Sequence, residues 1–166
     1  MKKCLWMMVL CLVLTIACGG EVFAQAKKEM SFSGTHYFSS TPKAFQLGPG
    51  QSITQMEVFG VRVNDSGDGP FHNASVHIVA VAYRSKEYNG YRGYLTWTDK
   101  DGDKVIAELL DRPPGAPSSP ARIIGGTGKY IGWQGTVEYN VENPRSFPEG
   151  TIRGLCREHI KLIIPE

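Results

Sequence analysis

Gly125-Gly126-Thr127-Gly128-Lys129-Tyr130-Ile131-Gly132-Trp133-Gln134-Gly135 runs directly into Thr136-Val137-Glu138-Tyr139-Asn140-Val141. Five glycines in eleven residues demand several left-handed or crowded backbone positions. The six residues after them alternate in the manner of a strand. A tight corner of Gly125, Gly126, Gly128, Gly132 and Gly135 feeding a strand, late in a chain of short strands, predicts a closed barrel.

Outward from this corner the same pattern repeats. Strand-like runs cover residues 30–40, 52–63, 74–84, 88–98, 104–110 and 121–124 upstream, and 133–142 and 151–164 downstream. The first carries Phe32, Gly34, His36 and Phe38 on one face, and the second carries Ile53, Phe59, Val61 and Val63. Residues 43–51, 64–70 and 143–150 read as loops. Four prolines in residues 112–120 bar that segment from a sheet interior and make it a stiff rim loop. Eight strands in one all-β domain close naturally into an antiparallel barrel, with a two-sheet sandwich as the rival. The run 74–84 is apolar on both faces, so its outer side requires a partner subunit or a covering loop.

The start of the chain is an address label. Lys2 and Lys3 precede an apolar run over residues 5–17, too short for the roughly 20 residues of a membrane-spanning helix. Ala24-Gln25-Ala26 supplies a small-x-small cleavage site, giving a signal peptide over residues 1–26 and one domain over 27–166. Thr15-Ile16-Ala17-Cys18 competes with it as a lipoprotein box that would anchor the protein at Cys18, although Thr15 stands where leucine is usual. Either processing route exports the protein, as a secreted or periplasmic form or as a membrane-anchored lipoprotein.

Loss of Lys2, Lys3 and Glu21 lowers the net charge from +2 to +1. That balance and the lack of a basic tract beyond Lys27-Lys28 point away from nucleic acid. Cys4, Cys11 and Cys18 leave with the signal, so Cys156 stands alone. The mature domain then has no internal disulfide and no zinc site built on several thiolates. Cys156 reads as a small buried hydrophobe.

The glycine run resembles a recurrent Gly-Gly-Thr-Gly-x-aromatic-x-Gly-x-x-Gly motif of the allene oxide cyclase and dirigent protein superfamily. Thr98-Asp99-Lys100-Asp101-Gly102-Asp103-Lys104 is similar to the turn before that motif in bacterial relatives. The resemblance covers at most residues 91–158. It implies a small, often trimeric barrel whose lumen holds a modest organic molecule. Plant members either cyclise an epoxide without a cofactor or steer the coupling of phenoxy radicals made by another enzyme. The cyclases use an acidic residue on the first strand and a bound water. Residues 31–38 here hold no carboxylate and Glu29 lies just outside them, so no catalytic residue carries over.

Other motifs dissolve on inspection. A phosphate loop needs glycine where Ile123 stands and Ser or Thr where Tyr130 stands. Asp99, Asp101 and Asp103 begin like a calcium loop, but its twelfth position is Leu110. A hairpin turn accounts for them. His36, His72, His77 and His159 include no i, i+2 pair, so no metal is expected; His36, His77 and Glu158 could build a metal or acid-base site only if all three faced the lumen. Arg92, Arg122 and Arg153 read as solvated surface. Nothing signals a nucleotide, haem or flavin, and no cofactor is expected.

Tyr83, Tyr91, Trp97, Trp133 and Tyr139 lie on middle or late strands. Such rings either line an apolar pocket with a polar tip or fill a barrel as core. The expected role is to hold a small, largely apolar organic molecule in the lumen. A cofactor-free isomerase or cyclase with His77, Tyr83 or Glu138 as acid or base, and a structural envelope protein with a filled barrel, are the alternatives.

Overall fold

The computed structural model describes residues 27–165; the signal peptide, its cleavage site and Cys18 lie outside the described residues. Nine strands form: β1 (Lys27–Ser40), β2 (Lys43–Gly48), β3 (Gln51–Asn64), β4 (Ala74–Arg84), β5 (Asn89–Thr98), β6 (Lys104–Leu109), β7 (Ser119–Gly126), β8 (Gln134–Ser146) and β9 (Ile152–Pro165). All pairings are antiparallel. The order β1-β9-β8-β7-β6-β5-β4-β3 is closed by β1 against β3, which makes an eight-stranded barrel and rules out a sandwich.

β2 corrects the reading of residues 43–51 as a loop. After a break at Thr41-Pro42 it continues past the end of β1 along the first half of β3, pairing Lys43 with Gln55 while β1 pairs Ser40 with Val58. Two further segments read as loops also enter the sheet. β7 starts at Ser119 and pairs Pro120 with Glu138, at the strand's beginning where a missing N–H is tolerated. β8 runs on to Ser146 through a bulge between Glu142 and Arg145, with Asn143 at φ 49°.

One end of the barrel is filled. Phe71, from the turn between β3 and β4, stacks on Trp97 with centroids 5.2 Å apart, and Tyr130, Trp133 and Phe32 pack around it. Leu95, Trp97, Val105, Ala107, Val137 and Ile160 extend this core along the inner faces. Each large side chain so buried contributes roughly 1.5–3 kcal/mol.

The glycine corner caps the same end around a single 3-10 turn, Gly128–Tyr130. Gly128 and Gly132 hold φ of 51° and 81°. Gly135 packs so closely on β9 that a Cβ would strike the Lys161 carbonyl. Lys129 Nζ reaches back 2.7 Å to Asp101 and also pairs with Asp99. The ammonium thus occupies the place where a cation would sit among these carboxylates.

Candidate functional site

Alternation along β1, β3 and β9 turns one polar row into the lumen. His36 on β1 stands opposite Arg62 on β3 and opposite Cys156 on β9, while Glu158 shares the inner face with Cys156 two residues on. Glu158 Oε1 accepts a hydrogen bond from His36 Nδ1 at 2.9 Å, and its Oε2 accepts one from Arg62 Nε at 2.8 Å. All three side chains are withdrawn from solvent. A carboxylate can only accept, so Nδ1 carries the imidazole proton in this contact.

The arrangement is anchored from behind. Arg62 Nη1 donates to Asn64 Oδ1, and Asn64 Nδ2 donates to the Asp68 and Pro70 carbonyls at 2.6 and 2.8 Å. Arg62 also lies over the Phe32 ring, 5.2 Å from its centroid. Gly34, opposite Glu158, makes room for it: a Cβ there would sit 2.7 Å from Arg62 Nη2.

Burial drives the Glu158 carboxyl upward, but the His36 hydrogen bond together with the Arg62 guanidinium outweighs it, and the group is held below the ordinary carboxylate range. Burial pushes the Cys156 thiol well above its ordinary value, and the Glu158 charge adds to this. Tyr91 is pushed up by burial to about 12, and Tyr139 is raised by burial and by Tyr91. Both phenols therefore stay protonated.

Above this row lies a cavity of about 330 Å³. Its walls are Phe38, Met56, Val58, Ile78, Leu95, Leu109, Tyr91 and Tyr139, and His36, Ser40 and Glu158 form its polar side. The buried Ser40 Oγ has no hydrogen-bond partner among the described residues. Arg112 stands at the mouth, its guanidinium bonded to the Ala116 carbonyl.

The residues singled out from sequence divide. Tyr91 and Tyr139 line the cavity. Trp97 faces inward but belongs to the aromatic plug, and Trp133 packs beside Tyr130 at the same filled end. His77, Tyr83 and Glu138 are on the outer wall: His77 meets Glu57 at 2.8 Å and stacks on Phe59, Tyr83 lies against Tyr88, and Glu138 lies near Ser118 beside a shallow outer groove. Strand parity decides this, because these residues fall on the face opposite Ile78, Ala80 and Val137. The condition set for a His36–His77–Glu158 cluster thus fails at His77. Arg62 carried no expectation. Its only signal was its alternation with Phe59, Val61 and Val63, which places it on the same face as Val58 and Gly60.

No protein-family profile matches the chain, and no curated protein matches its sequence. Among solved structures, the pterocarpan synthase dirigent protein GePTS1 is similar at a TM-score of 0.51 and 13% identity, over 86% of this chain and 88% of that one. The pterocarpan synthase dirigent protein PsPTS1 aligns over 86% and 97% of the two chains, at 11% identity and a TM-score of 0.48. With its closed eight-stranded wall and the GePTS1 alignment, this chain has the barrel fold seen in that dirigent protein.

Proposed function

We propose that this protein is exported and holds a small, largely apolar organic molecule in the open half of its barrel. The observation that carries this reading is the cavity of about 330 Å³, apolar on its walls and polar at one side, where Ser40 Oγ lacks a partner among the described residues. The volume lies at the small end of ordinary ligand pockets. A molecule with one polar group would place it toward Ser40 and His36 and lay its apolar body along Val58, Ile78 and Leu95. The isomerase alternative loses its named acid and base groups, since His77, Tyr83 and Glu138 lie outside the lumen. A wholly filled barrel does not describe the open half.

A partner of a second kind goes with this reading. Tyr37, Phe59, Val61, Val79, Val81 and Tyr94 are exposed and adjoin one another across the outer faces of β1, β3, β4 and β5. Such a patch on the outside of a small barrel suits burial against further copies, as in a homotrimer.

Native mass spectrometry of protein taken from its own host tests the ligand. Retention of a molecule of a few hundred daltons is expected, and Val58→Phe, which fills the cavity, should abolish it. Equal retention by Val58→Phe would place the ligand elsewhere.

A further inference from the structure

The polar side of the lumen brings three metal-ligating side chains together, beyond what binding an apolar guest requires. One imidazole nitrogen of His36, Sγ of Cys156 and one carboxylate oxygen of Glu158 lie within 4.8 Å of one another, all buried. Two of them are i, i+2 neighbours on the inner face of β9, and the third stands directly across on β1. From this geometry we infer a metal site, built from His36, Cys156 and Glu158, that takes zinc(II) with its fourth position open to the cavity.

The donor chemistry selects the ion. Thiolate, imidazole and a single carboxylate suit zinc, whereas calcium and magnesium require oxygen ligands throughout. His36 Nδ1 and Glu158 Oε1 stand 2.9 Å apart, and a widening to about 3.3 Å seats them as neighbouring tetrahedral ligands, each about 2.0–2.1 Å from one ion. Cys156, with its bond to metal of about 2.3 Å, closes the site by a small side-chain movement. Arg62 holds Glu158 Oε2 and leaves Oε1 for the ion, the kind of outer support that orients metal-binding carboxylates. The cavity itself is the entry path.

Proton and charge accounting complete the site. The imidazole shifts its proton from Nδ1 to Nε2 and the thiol proton passes to solvent, so one proton leaves per ion bound. The ion's two charges then face one thiolate and one carboxylate, and Arg62 adds one positive charge. The remaining unit charge favours an anionic fourth ligand, hydroxide or an anionic oxygen of a lumen guest.

Cobalt(II) is the probe, added to the reduced mature protein, residues 27–166, in which Cys156 is the single thiol, and followed by absorption. A thiolate-to-cobalt band in the near ultraviolet should grow to one equivalent, disappear in Cys156→Ala, and be erased by added zinc. His36→Gln should weaken the apparent affinity at least about tenfold. Absence of the band in the unaltered protein overturns the site, and so does a band that survives in Cys156→Ala. Because the unaltered protein is itself decisive, misfolding of a variant cannot hide a negative result. Guest retention by metal-free protein is a separate readout, so failure here leaves the lumen reading standing.

Discussion

Arg62 and Glu158 meet at 2.8 Å inside the barrel, the guanidinium fully buried and the carboxylate nearly so. Such a pair gains little over an apolar replacement, but losing one member strands the other charge. Glu158→Ala or Arg62→Ala should each destabilise the fold by about 3–5 kcal/mol, and Arg62→Met with Glu158→Leu should recover most of that loss. Urea unfolding midpoints decide the point. Single variants costing under about 1 kcal/mol would mean that water reaches the pair.

Gly34 is the space that Arg62 occupies. A Cβ at this position also meets the Val63 carbonyl at 2.7 Å, so side chain and backbone must both yield. Gly34→Ala should cost about 1–3 kcal/mol. Paired with Arg62→Leu, its cost should fall but not vanish, since the Val63 contact remains; a thermal-melt double-mutant cycle reads the difference.

Asp99 makes the corner acid-sensitive. Burial acts to raise its carboxyl, but the Lys129 ammonium, the Tyr130 hydroxyl and the N–H groups of Asp101 and Asp103 prevail, lowering it from 3.8 to about 2. A depressed folded value means the proton favours the unfolded chain. The stabilisation is therefore complete above about pH 4 and is lost as pH falls toward 2. Asp99→Asn should melt below the unaltered protein at pH 6, and the gap should close by pH 2. A gap that stays constant over this range would show that Asp99 acts without its charge.

Phe59 sits at the centre of the outer apolar patch, stacked on His77 at 4.8 Å and opposite Ser39 of β1. Phe59→Glu should leave the monomer fold intact, within about 0.5 kcal/mol, as for most surface changes. Light scattering after size exclusion should then report monomer in place of oligomer. A monomeric mass for the unaltered protein, or an unchanged oligomeric mass for the variant, would overturn self-association through this face.

Cavity, plug and polar row were unequally legible in the sequence. The segment 74–84 announced itself by length and apolarity and forms β4 with those bounds. The glycine run implied a crowded corner, and Gly128, Gly132 and Gly135 sit at such positions, whereas Gly125 has open space around it. Lys129 looked like half of a phosphate loop; only the fold brings it to Asp99 and Asp101. β3 misled because its apolar residues Phe59 and Val61 point outward while Arg62 points in. An outer wall that is itself apolar removes the contrast on which such a reading rests.

Local chemistry in the chain determined where most strands lie, where glycine permits the corner, and that successive side chains alternate between two faces. It did not determine the strand ends, since β2, the start of β7 and the end of β8 fall in segments that read as loops. A period of two, however, does not say which face is inside. That was decided by closure, when β1 pairs with β3 and with β9 in fixed register. His36 and Arg62 lie 122 and 96 residues from Glu158 along the chain, and only this pairing makes them neighbours. Turned inward together, they exclude water from their charges and so become partners rather than solvated surface groups.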